Sequence, residues 1–220
     1  MTRMRWAVFD VDGTLLPGTS MERLAVRRLV ESGVVTASML VRFVLSGIRD
    51  LAREGIPGLL RNKAYFRGLR ERDLSAFSEE MVRRSVVPRI PSAAREEMEG
   101  LRRNGYRILL FSGAPDFMLH PLALALGADA AIGTVLEIED GRFTGRVMAE
   151  HLYGPAKTAI LKEKAEDLKL DFEKSVVYAN DASDAEHMRL FGTAVAVNPR
   201  AGLRREARER GWRVTRWQME

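Results

Sequence analysis

Trp6-Ala7-Val8-Phe9-Asp10-Val11-Asp12-Gly13-Thr14-Leu15-Leu16 is an apolar run that breaks into two carboxylates, a glycine and a hydroxyl. Four apolar residues ending so abruptly read as a short buried strand that delivers Asp10 and Asp12 to its C-terminal end. Carboxylates two residues apart point to the same side of an extended chain, and the glycine after them lets the backbone approach a ligand closely. The plainer alternative, at this point, is an ordinary Asp-Gly turn. The end of a strand is where open parallel sheets bind ligands.

Outward from that strand, the pattern from Met21 to about Arg84 is helical. Leu24, Leu29 and Val30, then Leu40, Val41, Val44, Leu45, Ile48 and Leu51, then Leu74, Phe77 and Met81 recur at three- and four-residue spacings. Gly55-Ile56-Pro57-Gly58 punctuates the run. About 65 residues of helix are too many for a simple connection in an α/β core, so a helical cap over residues 18–85 is expected, between core segments 1–17 and 86–220. After Pro88 and Pro91 helices and strands alternate: helix 92–103, strand 106–111, helix 116–126, a strand near 130–133, helix 155–168, strand 175–179, helix 184–190, strand 193–197, helix 201–210 and a last strand at 212–214. Asp140-Gly141, between two apolar-rich segments, predicts one antiparallel hairpin over 135–147. The expected class is α/β, a mostly parallel sheet with helices on both faces.

Asp10-Val11-Asp12-Gly13-Thr14-Leu15-Leu16 resembles the first motif of the haloacid dehalogenase (HAD) superfamily, and three later segments follow in that family's order across nearly the whole chain. Leu110-Phe111-Ser112-Gly113-Ala114 resembles the second motif, Gly154-Pro155-Ala156-Lys157 the third, and Tyr178-Ala179-Asn180-Asp181-Ala182-Ser183-Asp184 the fourth. The helical insert after the first strand is similar to that of the phosphoserine-phosphatase-like subfamily IB. This resemblance implies a Rossmann-like fold and a phosphatase working through an aspartyl-phosphate. Asp10 is then the nucleophile and Asp12 the general acid and base. Thr14, Ser112, Gly113 and Lys157 hold phosphate. Mg2+ is held by Asp10, the backbone carbonyl of Asp12, and Asn180, Asp181 or Asp184. The fourth motif departs from the family pattern: aligned through Ser183-Asp184, its first acid becomes Asn180, and a shift by one residue puts Asp181 there instead. A catalytically silent phosphate-binding protein and a phosphotransferase are the alternatives.

The glutamate and cap arginine by which phosphoserine phosphatases hold the amino acid have no evident counterpart. Their places fall at Thr19 or Ser20 and near Asn62, with Arg61 and Arg67 close by, while Glu22 is a helical turn away. Arg61, Lys63, Tyr65 and Arg67 are candidates to face the pocket, although a solvated helix explains them as well. Met39, Phe43, Tyr65 and Phe66 read first as cap core. His120, before Pro121 at the expected helix start, either touches substrate or packs; His151 and His187 read as structural or solvent-facing.

The 220 residues carry a net charge of +5 and no cysteine, which excludes disulfides and thiolate chemistry and fits a reducing compartment. Mixed-sign runs such as Arg204-Arg205-Glu206-Ala207-Arg208-Glu209-Arg210 are those of solvated helix faces, so no nucleic-acid partner is expected. The apolar start is broken by Asp10 and Asp12 and is unlike a secretory signal, and a cytoplasmic location is expected. The most lipid-like stretch, Val34 to Leu51, contains Arg42, Arg49 and Asp50; it reads as a buried helix and no membrane partner is expected. The expected ligand is a small phosphorylated metabolite, and the expected state is a monomer or homodimer.

Overall fold

A computed structural model describes residues 3–55, 58, 61–148 and 151–218. Its centre is a six-stranded sheet of order β3-β2-β1-β6-β7-β8, parallel throughout. The strands are β1 (Trp6–Phe9), β2 (Arg107–Pro115), β3 (Ala130–Thr134), β6 (Val176–Ala179), β7 (Thr193–Val197) and β8 (Arg213–Thr215). A separate antiparallel pair, β4 (Leu136–Glu139) and β5 (Arg142–Val147), forms the hairpin expected at Asp140-Gly141.

The two-residue alternation of the strands divides the core into two apolar layers. Ala7, Phe9, Ile108, Leu110, Tyr178 and Val195 face one layer, and Trp6, Val8, Leu109, Phe111, Val177 and Ala196 the other. Helices α4 (Ser92–Arg103) and α5 (Asp116–Leu126) complete the first layer through Met98, Met118 and Leu122. Helices α6 (Pro155–Lys164), α7 (Ala185–Met188) and α8 (Ala201–Arg210) complete the second through Leu161, Met188 and Leu203. The sheet runs outward from β1 through β2 to β3, then returns to the other side of β1 at β6. Ligand crevices form where an α/β sheet changes direction in this way.

Between β1 and β2 lie α1 (Met21–Glu31), α2 (Ala37–Glu54), a 3-10 turn at Ala64–Phe66 and α3 (Glu71–Met81), which runs on into a π turn at Val82–Val86. Ser20 caps α1 by accepting the Arg23 N–H. Met21, Leu29, Phe66 and Leu74 join the first core layer, and Phe66 meets Phe117 of α5 edge-on at 5.4 Å. Pro121 sits in the interior of α5, not near its start, and cannot donate the backbone bond that Phe117 O would receive. Ser78 of α3 supplies it instead, its hydroxyl donating to Phe117 O at 2.9 Å.

The second half of the chain keeps the expected order with small shifts. Helices α6 and α8 start as expected, but α6 stops at Lys164, and in place of the helix expected over 184–190 the segment after β6 is a 3-10 turn followed by only four helical residues from Ala185. In the punctuation expected at 55–58, Gly55 ends α2, while Ile56 and Pro57 lie outside the described residues. The expectation of a buried helix at Val34 to Leu51 is corrected. Gly47 is the buried residue of α2, and Val41, Val44, Leu45, Ile48 and Leu51 are exposed. The apolar period correctly gives a helix, but no described element covers that face. No described helix is long and apolar enough to cross a membrane.

Candidate active site

Asp10 leaves the end of β1 at the turning point of the sheet, its N–H donating to Tyr178 O of β6 at 2.9 Å. Its carboxylate is buried and receives two bonds. Thr14 Oγ1 donates to Oδ2 at 2.9 Å, and Lys157 Nζ, from the first turn of α6, donates to Oδ1 at 2.9 Å. The same ammonium reaches Asp184 Oδ1 at 2.7 Å, so one buried cation spans carboxylates from two strand ends. Burial pushes Asp10 up to about 6 despite the opposing pull of Lys157. Burial alone would lower the Lys157 ammonium, but Asp10 and Asp184 outweigh it and hold the amine above its ordinary value.

Asp12 has different surroundings. Its Oδ1 accepts the Met21 N–H at 2.9 Å, and no cation touches it. Burial, assisted by the nearby Asp10 charge, raises its pKa to about 7 against the Met21 bond. Burial raises both carboxyls, and what separates them is the partner: an ammonium on Asp10, a backbone N–H on Asp12.

Asn180 ends β6 and is buried against Gly13, with its Oδ1 3.5 Å from Thr14 Oγ1. Gly13 has φ +83°, and a Cβ there would stand 2.2 Å from Asn180 Nδ2. The glycine is therefore required by both the turn and the amide packed on it. Asp181 is engaged elsewhere, its carboxylate capping the 3-10 turn by accepting the Ser183 N–H at 3.0 Å and pairing with Arg200 at 2.9 Å. Ser112, at the end of β2, accepts the Ala114 N–H, while Thr134 at the end of β3 donates to Gly113 O at 2.8 Å.

One cavity of about 230 Å³ lies among them, its wall completed by Glu22, His151, Leu152, Tyr153, Ser183 and Arg200. The candidate residues Asp10, Asp12, Ser112, Gly113, Lys157, Asn180, Asp181 and Asp184 are thus all brought together, with Thr14 directly behind Asp10. Asp10 and Asp184 share the one ammonium of Lys157, which leaves surplus negative charge. Among the described residues no three carboxylate or histidine side chains already converge on a cation position. The donors of Asp10, Asp184 and Asn180 are nevertheless all oxygens, and that chemistry with the surplus charge fits a hard divalent cation.

The helical segment contributes Glu22 to the cavity wall. Lys63, itself buried, lies 2.5 Å from Glu22 of α1. Burial, then the charges of Glu22 and Asp12, hold the Tyr65 phenol protonated. Of the candidates to face the pocket, Lys63 and Tyr65 are buried behind Glu22 and do not line the cavity, while Arg61 and Arg67 are exposed. Met39 and Phe43 pack on the first core layer, to which Tyr65 and Phe66 also belong.

His151, which reads from sequence as structural or solvent-facing, lines the cavity; its Nδ1 is 3.2 Å from Thr134 Oγ1. Burial, then Lys63, Lys157 and Arg61, push it down to about 3, so it is neutral. His187 is buried against Phe111 and likewise pushed down to about 3, first by burial. His120 is exposed in a cleft on the far side of α5. The sequence motifs do not point to Arg200, although its position three residues past the end of β7 is the signal that could have found it. Every other strand-end motif reaches the same edge of the sheet.

Comparison with known proteins agrees with this geometry. The family model for haloacid dehalogenase-like hydrolases matches residues 7–189. A phosphoserine phosphatase of Mycobacterium tuberculosis is 32% identical over 214 residues, covering 94% of this chain and 69% of that protein. A histidinol-phosphatase of Neisseria meningitidis serogroup C is 28% identical, covering 94% of this chain and 96% of its own length. A solved structure of a protein with unknown function from Bordetella pertussis Tohama I shares the fold, with a TM-score of 0.83, 24% identity and coverage of 97% and 98% of the two chains. The chain belongs to the haloacid dehalogenase-like hydrolase family, among relatives that include named phosphatases.

Proposed function

We propose that this haloacid dehalogenase-like hydrolase is a cytoplasmic, Mg2+-dependent phosphatase that cleaves a small phosphate monoester through an aspartyl-phosphate on Asp10. The observation that carries this reading is the different setting of two carboxyls on one cavity wall: Asp10 is held by Lys157 and Thr14, while Asp12 accepts only the Met21 N–H and bonds no cation. The volume of about 230 Å³ suits a phosphoryl group with a small alcohol.

In the first step a carboxylate oxygen of Asp10 attacks phosphorus while the bond to the ester oxygen breaks, and Asp12 gives its proton to that departing oxygen. In the second step Asp12, now a carboxylate, takes a proton from water; the water oxygen attacks phosphorus and the bond to Asp10 breaks. Phosphate leaves, Asp10 is regenerated and Asp12 is again protonated. Lys157 offsets the negative charge that would repel Asp10 from the phosphoryl group, and Ser112 with the backbone after it completes the cradle. Asp10, Asp184, Asn180 and the backbone carbonyl of Asp12 would hold Mg2+, which supplies further charge neutralisation when bound.

The test is release of phosphate and of nitrophenol from an aryl phosphate and a panel of phosphorylated metabolites, with and without Mg2+. Wild type turns over only with the metal, and Asp10→Asn does not. Asp12→Asn gives a burst of nitrophenol and a phosphorylated protein that hydrolyses slowly, because an aryl leaving group needs little acid assistance. Turnover retained in Asp10→Asn sinks the assignment. Ligand binding without turnover in wild type favours the silent phosphate-binding alternative, for which the neutral Asn180 is the motivating feature, and transfer of phosphate to an added alcohol favours a phosphotransferase.

A further inference from the structure

Helix α2 presents an apolar face to solvent. At 100° per residue, Val41, Val44, Leu45, Ile48 and Leu51 fall within one arc of about 120°, and they are 58, 54, 59, 62 and 45% exposed. Arg42, Arg49 and Arg53 form a row along one edge of that arc, all three exposed. Among the described residues none of them makes an ion pair, and Arg42 donates within its own helix, to Ser38 O. The acids of the helix, Asp50 and Glu54, lie on the opposite side with the inward-packing Phe43 and Gly47, and Glu54 faces Arg61 at 3.7 Å. An apolar stripe flanked by unneutralised arginines matches the charge and depth profile of an anionic bilayer surface, with acyl chains under the stripe and phosphates at its edge.

We propose that α2 is a docking surface for an anionic phospholipid membrane, lying in the plane of the headgroups. Area argues against a second copy of this chain as the occupant. Eighteen helical residues span about 27 Å, and at about 10 Å wide the face offers roughly 270 Å², well below the ~800 Å² per partner of a stable interface. Charge argues the same way, because antiparallel pairing of α2 about a two-fold axis sets the arginine flanks against each other. The docked helix would also lie behind the site: Phe43 on its inner side meets Tyr65 edge-on at 5.1 Å, and Tyr65 lies beside Glu22, which lines the cavity.

Flotation of the whole protein with vesicles of phosphatidylcholine alone, or mixed with phosphatidylglycerol, tests this at low and high salt. Wild type floats with the mixed vesicles and not with pure phosphatidylcholine. Leu45→Ser with Ile48→Ser, which leaves the charge unchanged, lowers partitioning by about tenfold or more. Arg42→Gln, Arg49→Gln and Arg53→Gln each lower it by roughly fivefold. Leu124→Ser, at a still more exposed leucine on α5, binds as wild type, and all variants keep the wild-type rate on a soluble aryl phosphate. The proposal is overturned if wild type ignores the anionic vesicles, or if the double serine variant binds them undiminished, which would assign binding to overall positive charge. It is also overturned if light scattering shows a dimer that the double serine variant dissociates while vesicles are not bound.

Discussion

Lys157 Nζ lies 2.9 Å from Asp10 Oδ1 while also touching Asp184 at 2.7 Å, so the ammonium that holds the proposed nucleophile also joins the loop after β6 to the end of β1. Lys157→Met leaves two buried carboxylates without their cation. A loss of about 3 kcal/mol in urea unfolding is expected, together with a fall of about 10²–10³ in turnover. A variant with normal stability and normal turnover would show that this lysine is neither structural nor electrostatic.

Gly13 is packed against Asn180, and its added Cβ would stand 2.2 Å from the amide nitrogen at a backbone φ of +83°. Gly13→Ala should therefore displace Asn180 and raise the Mg2+ concentration needed for half-maximal activity, with the far-UV circular dichroism unchanged. An unaltered metal requirement would mean that Asn180 is not a ligand.

Asn180→Asp places a fourth acid beside Asp10, Asp12 and Asp184. Without metal the variant should melt below wild type because the like charges repel in a buried site. Adding Mg2+ should raise its melting temperature by more than it raises that of wild type, since the cation binds the folded state more tightly. Calorimetry with chelator and with Mg2+ measures both; equal metal-induced shifts refute the expectation.

Tyr178 donates to Glu97 Oε1 at 2.6 Å and Arg213 pairs with the same carboxylate, tying α4 to β6 and β8. Burial works to raise the Glu97 carboxyl, but the Tyr178 and Arg213 bonds outweigh it and hold it below its ordinary 4.5. A depressed carboxyl stabilises the fold above the unfolded value, near 4.5, and that contribution is lost as pH falls through the lower folded value. Glu97→Gln should thus be less stable than wild type by about 1 kcal/mol or less at pH 7, and the difference should shrink only below pH about 4.5. A gap that closes at higher pH would assign it to another group.

Ser78 supplies the hydrogen bond to Phe117 O that Pro121 cannot make. Ser78→Ala should cost about 1–2 kcal/mol in denaturant unfolding, and restoring the backbone donor with Pro121→Ala should recover part of it. Simple additivity of the two changes would mean that the carbonyl is satisfied elsewhere.

What was legible in the sequence was local. The break from Phe9 to Asp10, the alternation after Pro91 and the Asp140-Gly141 turn each encode an element within a few residues, because strand, helix and turn preferences are set by near neighbours. Resemblance to four family motifs in their usual order then nominated Asp10, Asp12, Ser112, Lys157 and the 180–184 loop. Their meeting was not legible in that way. That Lys157 bridges Asp10 and Asp184, that Asp181 turns to Arg200, that Lys63 pairs with Glu22, and that His151 reaches the cavity through Thr134 all depend on which strand ends the parallel sheet sets side by side. Helix α2 shows the same limit. Its sequence determined that Val41, Val44, Leu45, Ile48 and Leu51 share one face, since helical periodicity is a property of the backbone. Only the tertiary structure decided that this face meets solvent, because burial depends on what else the chain brings to cover it, and here the core was completed by other segments.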